Sequence, residues 1–276
     1  MNLITRLFIL LIIPLFQKVI FCQHLSSYDF SKSPDQFKLS SELREISGLT
    51  IKGNKLFTHE DEKGNIYQID PATGNIIKKF RLGKKAVHND FEGIAAAGKK
   101  LFLISSKGEI YLFYEQKNNT YSKYTKINTP LSGKNDVEGL CFDPSTYSLL
   151  IACKGDPGKD YEGFKAVYSF DIASRKLNNK PRFLISLDEL QKQFGIKRFS
   201  PSGIERDPKT GSFFVLSSNE KYIVEISPEG KLIYAVKLKH KYHNQPEGIA
   251  ITSDSQIFIS DEGGKGEGTL SKYYLK

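Results

Sequence analysis

The sequence predicts an all-β fold, a five-bladed β-propeller of four-stranded antiparallel blades closed by an N-terminal strand. Three observations predict it. A short signature recurs five times, every copy is followed by the same succession of strands and turns, and the last copy lacks a strand that the segment ahead of the first can supply.

The signature is an acidic or small pair, then Gly, then a branched apolar residue. Its copies are Glu45-Ile46-Ser47-Gly48-Leu49, Asp90-Phe91-Glu92-Gly93-Ile94, Asp136-Val137-Glu138-Gly139-Leu140, Ser200-Pro201-Ser202-Gly203-Ile204 and Gln245-Pro246-Glu247-Gly248-Ile249. The glycines recur at intervals of 45, 46, 64 and 45 residues. Periods of this size belong to propellers and solenoids.

After each signature a short apolar strand runs to a turn at Gly53-Asn54, Gly98-Lys99, Asp143-Pro144, Asp207-Pro208 or Ser253-Asp254, residue types that supply turn geometry. Second strands follow at Lys55-Phe57, Leu101-Ile104, Leu149-Ala152, Phe213-Leu216 and Ile257-Ile259. Third strands alternate apolar and polar residues, as in Asn65-Ile69 and Glu109-Phe113, the pattern of a half-buried strand. Fourth strands are read at Ile76-Leu82, Tyr121-Asn128, Arg182-Leu187 and Leu232-Leu238. The fifth unit ends after its third strand, Leu270-Leu275, and Gln36-Ser40 is the strand expected to complete it, which removes the open sheet edges. The long 64-residue interval holds a short helical insertion at 187–196, read as surface decoration.

The first residues read differently. Arg6 precedes an apolar run from Leu7 to Phe16 broken by Pro14, the layout of a secretory signal. A spanning helix needs roughly 20 apolar residues, so a cleaved signal peptide over 1–22 is preferred to a permanent anchor, leaving one propeller domain over 23–276. Cys22 offers lipidation as an alternative end, which the bulky Phe21 disfavours. Export to the periplasm, cell envelope or medium follows.

Loss of Arg6 and Lys18 lowers the formal charge from +9 to +7. The lysines are scattered over turns and strand edges without a basic stripe, which argues against nucleic acid as a partner. Contact with a membrane is expected only through a lipid on Cys22 or an uncleaved signal, and the chain is read as a monomer. Cys141 and Cys153 fall on neighbouring strands, where a bridge is one reading and a pair of small buried apolar residues the preferred one.

Antiparallel order brings the start of each first strand and the end of each second strand to one face. Glu92, Glu138 and Glu247 are therefore expected near the central mouth, with Ser47 and Ser202 at the equivalent places. Ring closure should carry Asp261 and Glu262 towards Glu60 and Asp61 as an acidic rim. Converging carboxylates repel unless a cation or shared protons neutralise them, and hard oxygen ligands suit calcium or magnesium. Three readings stay open: a calcium site, structural hydrogen bonds in which the acids cap turn amides and each Gly serves the turn, and acid–base catalysis. His59 and His88 are read as loop residues before base or ligand, and Lys154 as a solvated lysine before an anion anchor.

The repeated Glu-Gly-Ile and Glu-Gly-Leu units, Asp207-Pro208 after Ser200-Pro201-Ser202-Gly203-Ile204, and the closing Ile259-Ser260-Asp261-Glu262-Gly263 resemble the SdiA-regulated, or YjiK-like, family of exported propellers over about Phe37 to Lys276. The resemblance implies a propeller facing the periplasm or cell surface, with calcium at the acidic mouth. More distantly the chain is similar to esterase-like phytase and calcium-dependent lactonase propellers, which implies hydrolysis, although Ser47 and Ser202 interrupt the acidic ring such a site would use. The preferred function is a ligand-binding or scaffold propeller of the envelope, holding a small ligand, peptide or cell-wall fragment. The alternative is a metal-dependent hydrolase of phosphate esters or lactones.

Overall fold

The computed structural model describes residues 24–276, so the leader expected over 1–22 and its Cys22 lie outside the described residues. Five antiparallel sheets follow one another around an axis. Blade 1 comprises Ile46–Lys52, Lys55–Glu60, Asn65–Ile69 and Ile76–Leu82, and blade 2 Phe91–Ala97, Lys100–Ser105, Ile110–Tyr114 and Tyr124–Ile127. Blade 3 is built from Val137–Asp143, Ser148–Cys153, Phe164–Asp171 and Phe183–Ser186, with the short Lys176–Leu177 also paired to its third strand. Blade 4 holds Pro201–Arg206, Phe213–Ser217, Tyr222–Ile226 and Leu232–Lys237. Blade 5 takes Pro246–Ile251, Ile257–Asp261 and Thr269–Tyr273 from the C-terminal end and Asp35–Lys38 from the N-terminal end.

Closure occurs as the strand count predicts, with the pairing moved towards the N-terminus. Asp35 faces Lys272 and Phe37 faces Leu270, while Leu39 adds one more bond through its N–H to the Gly268 carbonyl at 2.8 Å. The hydrophobic core is divided accordingly into five wedges, one in each groove between neighbouring blades, so no blade is left without two partners. Residues ahead of the closing strand add a clasp. Leu25, Tyr28 and Phe30 are buried in the wedge between blades 4 and 5, and fully buried Glu225 accepts the Leu25 N–H at 2.9 Å and meets His24 Nδ1 at 2.6 Å.

Two sequence expectations are revised. The fourth strand expected at 121–128 is divided: Tyr124–Ile127 stays in blade 2, but Thr120–Ser122 pairs in parallel with the outer strand of blade 1. Side-chain chemistry explains the detour, because Lys79 N–H donates to Asn118 Oδ1 at 2.9 Å and Asn119 N–H donates to the Lys79 carbonyl at 2.7 Å. The insertion after blade 3 is the helix Leu187–Phe194, capped by Ser186 Oγ accepting from Glu189 N–H and ended by Gly195 at φ 71°. It is more than decoration, since Leu190, Ile196 and Phe199 enter the wedge between blades 3 and 4. Cys141 in that wedge and Cys153 in the wedge between blades 2 and 3 are free, buried thiols, and register places them opposite Leu150 and Val137 instead of each other.

The signature glycines have a different cause from the turn geometry expected of them. None has a positive φ. What requires Gly is crowding at the axis: a Cβ on Gly203 would lie 2.6 Å from the Glu247 carbonyl oxygen, and one on Gly248 2.4 Å from that of Ser47. First strands of adjacent blades thus approach backbone to backbone. Gly248→Ala should therefore cost about 1–3 kcal/mol as overpacking, seen in calorimetry as a fall of about 3–10 °C in Tm for a domain of this size.

Candidate functional site: an acidic axial mouth

Each first strand carries a β-bulge against its second strand at the signature. Pairing runs Phe91 with Ser105 and then Gly93 with Ile104, leaving Glu92 as the extra residue. The same skip isolates Glu138, Ser202 and Glu247, and a wider one spans Ser47 and Gly48. A bulge kinks the strand and re-aims the side chain it releases. Here it turns five equivalent side chains from the sheet towards the axis, and the residue type at that position decides what each blade offers.

Three blades offer carboxylates. Glu92, Glu138 and Glu247 line one cavity of about 170 Å3, together with Lys154. The other two blades offer serines that stitch the ring: Ser47 Oγ donates to the Glu92 carbonyl at 3.2 Å and Ser202 Oγ to that of Pro246 at 2.8 Å. Behind the mouth the glycines and their branched neighbours close the axis to a gap of about 10 Å3, so the cavity is a cup with no passage through the ring.

Burial sets the electrostatics of this cup. Glu247, whose Oε1 accepts a hydrogen bond from Ser218 Oγ at 3.0 Å, is pushed up to about 8, first by burial and then by the Glu138 charge. Glu92 is raised strongly, by burial, then by Glu138 and Asp90. Glu138 is raised by burial against the opposing pull of Lys154, whose Nζ donates to its Oε1 at 2.6 Å. One ammonium therefore serves the three axial carboxyls, and burial favours the protonated form of those it relieves least.

The rim is only partly as expected. Asp61 and Glu262 do meet at the junction of blades 5 and 1, joined there by Glu45. Glu262 is raised by burial, by a hydrogen bond with Glu45 and by that residue's charge, and its Oε2 accepts from Gln245 Nε2. Asp61 is raised by burial and then by Glu45, and its Oδ1 is buried with no hydrogen-bond partner. Asp261 turns away from the mouth, accepting from His243 Nδ1 at 2.8 Å and from Gln245 N–H at 3.2 Å, while His243 Nε2 meets Tyr273 Oη at 2.6 Å. Glu60 faces a separate cleft with Lys63 and Lys79 and accepts from Asn65 Nδ2 at 2.9 Å.

His59 is fully buried, and burial pushes it down to about 4. Its Nε2 accepts the Gly48 N–H at 3.1 Å, so the imidazole is neutral and braces the bulge of blade 1. His88 is exposed on the Lys63–His88 bridge. Sequence reasoning missed Glu45 and Gln245 as parts of the mouth, although each opens a signature copy and so was legible as such. The pairing of Lys154 with Glu138 had no sequence signal beyond its place at the end of a second strand.

Hard carboxylate oxygens are the donors calcium takes, and the Lys154 ammonium against Glu138 shows that a positive charge is accommodated among them. Among the described residues no three His, Cys, Asp or Glu side chains are gathered closely enough to hold a metal ion as arranged.

Fold and site together define a five-bladed propeller with one acidic mouth. The sequence matches the SdiA-regulated family over residues 24–264, and the chain belongs to that family. Solved structures similar in fold include the glutaminyl cyclase of Myxococcus xanthus, at TM-score 0.60 and 14% identity, covering 89% of this chain and 96% of that one. A luciferin-regenerating enzyme matches at TM-score 0.54 and 12% identity over 87% and 95% of the two chains. The PQQ-bound aldose sugar dehydrogenase of Streptomyces coelicolor matches at 0.50 and 14% over 87% and 96%. At these identities the likeness is one of fold alone.

Proposed function

We propose that this protein is an exported ligand-binding propeller of the cell envelope whose axial mouth takes a divalent cation, calcium by the chemistry of its donors. The observation that carries the reading is the charge count. Glu92, Glu138 and Glu247 converge in one cup with the single cation Lys154, and Glu45, Asp61 and Glu262 line the same cavity, an excess of carboxylates over ammonium that protons or a divalent ion must cancel. Those three carboxylates would have to draw together from their present arrangement to hold the ion, with Ser47 and Ser202 keeping the blades in register around it. Bound calcium would supply positive charge for an anionic group of an envelope ligand, and Lys154 would share that group. Hydrolysis is the less supported use, because the mouth lacks a free imidazole: His59 is buried and engaged.

Calcium titration followed by thermal unfolding tests the reading. An ion that binds only the folded ring stabilises it by about 2.7 kcal/mol at a hundredfold excess over Kd, a rise of about 5–10 °C for this size. Glu92→Gln, Glu138→Gln and Glu247→Gln should each blunt the rise. A calcium response that is absent, or one that all three variants leave unchanged, overturns the site. Turnover in a screen of phosphate esters and lactones with calcium present would move the function to hydrolysis.

A further inference from the structure

The opposite end of the axis holds a second cavity of about 260 Å3, to which all five blades contribute. It lies where the first strands end, on the far side of the glycine constriction from the acidic cup. Ile51, Ala96, Phe142 and Ile251 give it an apolar wall, and these are equivalent positions, three residues after each signature glycine. Blade 4 departs from the repeat there and one residue earlier. Where the other blades have Thr50, Ala95, Cys141 and Ala250, it has Glu205, followed by Arg206 in place of an apolar wall residue.

Glu205 is half-buried and lines the cavity beside Arg206, whose guanidinium pairs with another carboxylate. The Arg206 guanidinium is drawn aside by fully buried Asp143, with Nε 3.2 Å from Oδ1, and Nη2 packs towards Gly211. Arg206 gives Glu205 only its backbone N–H, at 2.8 Å to Oε1. Burial consequently pushes the Glu205 carboxyl up to about 8, against the amide bond and the Arg206 charge. A carboxyl group beside an apolar wall, where the one cation lining the cavity is engaged by Asp143, is complementary to a ligand that carries both an ammonium group and an apolar body.

We propose that this rear mouth is a separate ligand site for an organic ammonium ion with an aliphatic or aromatic body. Glu205 receives the ammonium group, and the surface formed by Ile51, Ala96, Phe142 and Ile251 receives the body. The apolar part distinguishes it from the mostly polar cup at the other end, which suits a bare cation.

Isothermal titration of the folded chain with 2-phenylethylamine tests this. The expected result is saturable binding that Glu205→Gln weakens at least tenfold and that Ala96→Leu, which fills the cavity and leaves every charge in place, weakens as much. Methylammonium, lacking the body, should bind at least tenfold more weakly. Circular dichroism melts show whether each variant is folded, and if Glu205→Gln is not, Ala96→Leu decides alone. No saturable binding, or binding unchanged in the folded variants, overturns the site. Binding kept in both variants but lost in Glu138→Gln would place the amine at the front mouth and overturn it equally.

Discussion

A chain lacking residues 24–39 is expected not to hold the ring. The segment buries Leu25, Tyr28, Phe30 and Leu39, each no more than 4% exposed. Such side chains are worth about 1.5–3 kcal/mol each, or roughly 6–12 kcal/mol together, against a total stability of about 5–15 kcal/mol for a domain. Removal also leaves Thr269–Tyr273 as an open edge and strips Glu225 of the Leu25 N–H and His24 while it stays buried. Unpaired edges recruit other chains. Circular dichroism and size-exclusion chromatography should show loss of the cooperative melt and aggregation, and a synthetic peptide of residues 24–39 added in trans should restore the monomeric ring. A truncated chain that melts cooperatively within a few degrees of the full one would refute the velcro role of this segment.

What the sequence made legible is the level at which repetition carries information. Five signatures in register fix the number of blades, and a missing fourth strand in the last one points to closure from the N-terminus. Local chemistry escaped the same reading. The glycines are identical in sequence whether they serve a turn or a backbone contact, and only the approach of Gly203 to Glu247 and of Gly248 to Ser47 separates the two. Alternation along a strand says nothing of a bulge, so the turn of Glu92, Glu138 and Glu247 towards the axis was placed by topology and not by register. Asp261 and Glu262 are adjacent in sequence, yet the buried His243–Tyr273 pair claims one and leaves the other at the mouth. Those partners come from distant chain positions that no repeat relates. Glu205 was readable in principle, as the one carboxylate at a place where the other blades have uncharged residues.

The calcium-free protein should lose stability as pH rises from 6.5 to 8. An acid whose folded value is raised binds more protons folded than unfolded between its ordinary value and the raised one, so stability falls with pH across that interval. For Glu247 the interval runs from 4.5 to about 8, and Glu92 and Glu138 are raised in the same sense. Glu262 at the rim of the same mouth and Glu205 at the opposite end of the axis add to the slope. The charged groups acting on the three mouth acids include Asp90, Asp136 and Lys154; Lys154 opposes the effect, as do the hydrogen bonds of Ser218 and Gln245 to Glu247. Working above pH 6.5 keeps His59 out of the measurement, because a histidine pushed down to about 4 makes stability fall as pH drops from 6.5 towards 4, the opposite slope. Glu115, held down at about 2 by Lys52, Lys55 and Lys78 in spite of its burial, acts only below about 4.5. A group titrating fully contributes about 1.4 kcal/mol per pH unit, and Glu247 is half deprotonated by pH 8, so it alone accounts for roughly 1–2 kcal/mol between pH 6.5 and 8, a fall of about 2–8 °C in Tm. Joint replacement of Glu92, Glu138 and Glu247 by Gln should flatten most of that slope and raise the melt at pH 8. Calcium should do likewise for the unaltered protein, with a larger rise at pH 8 than at pH 6.5, because protons and the ion compete for the same oxygens. A melt that climbs with pH over this range, or an equal slope in the triple variant, would show that the mouth carboxylates are already neutralised by something other than protons.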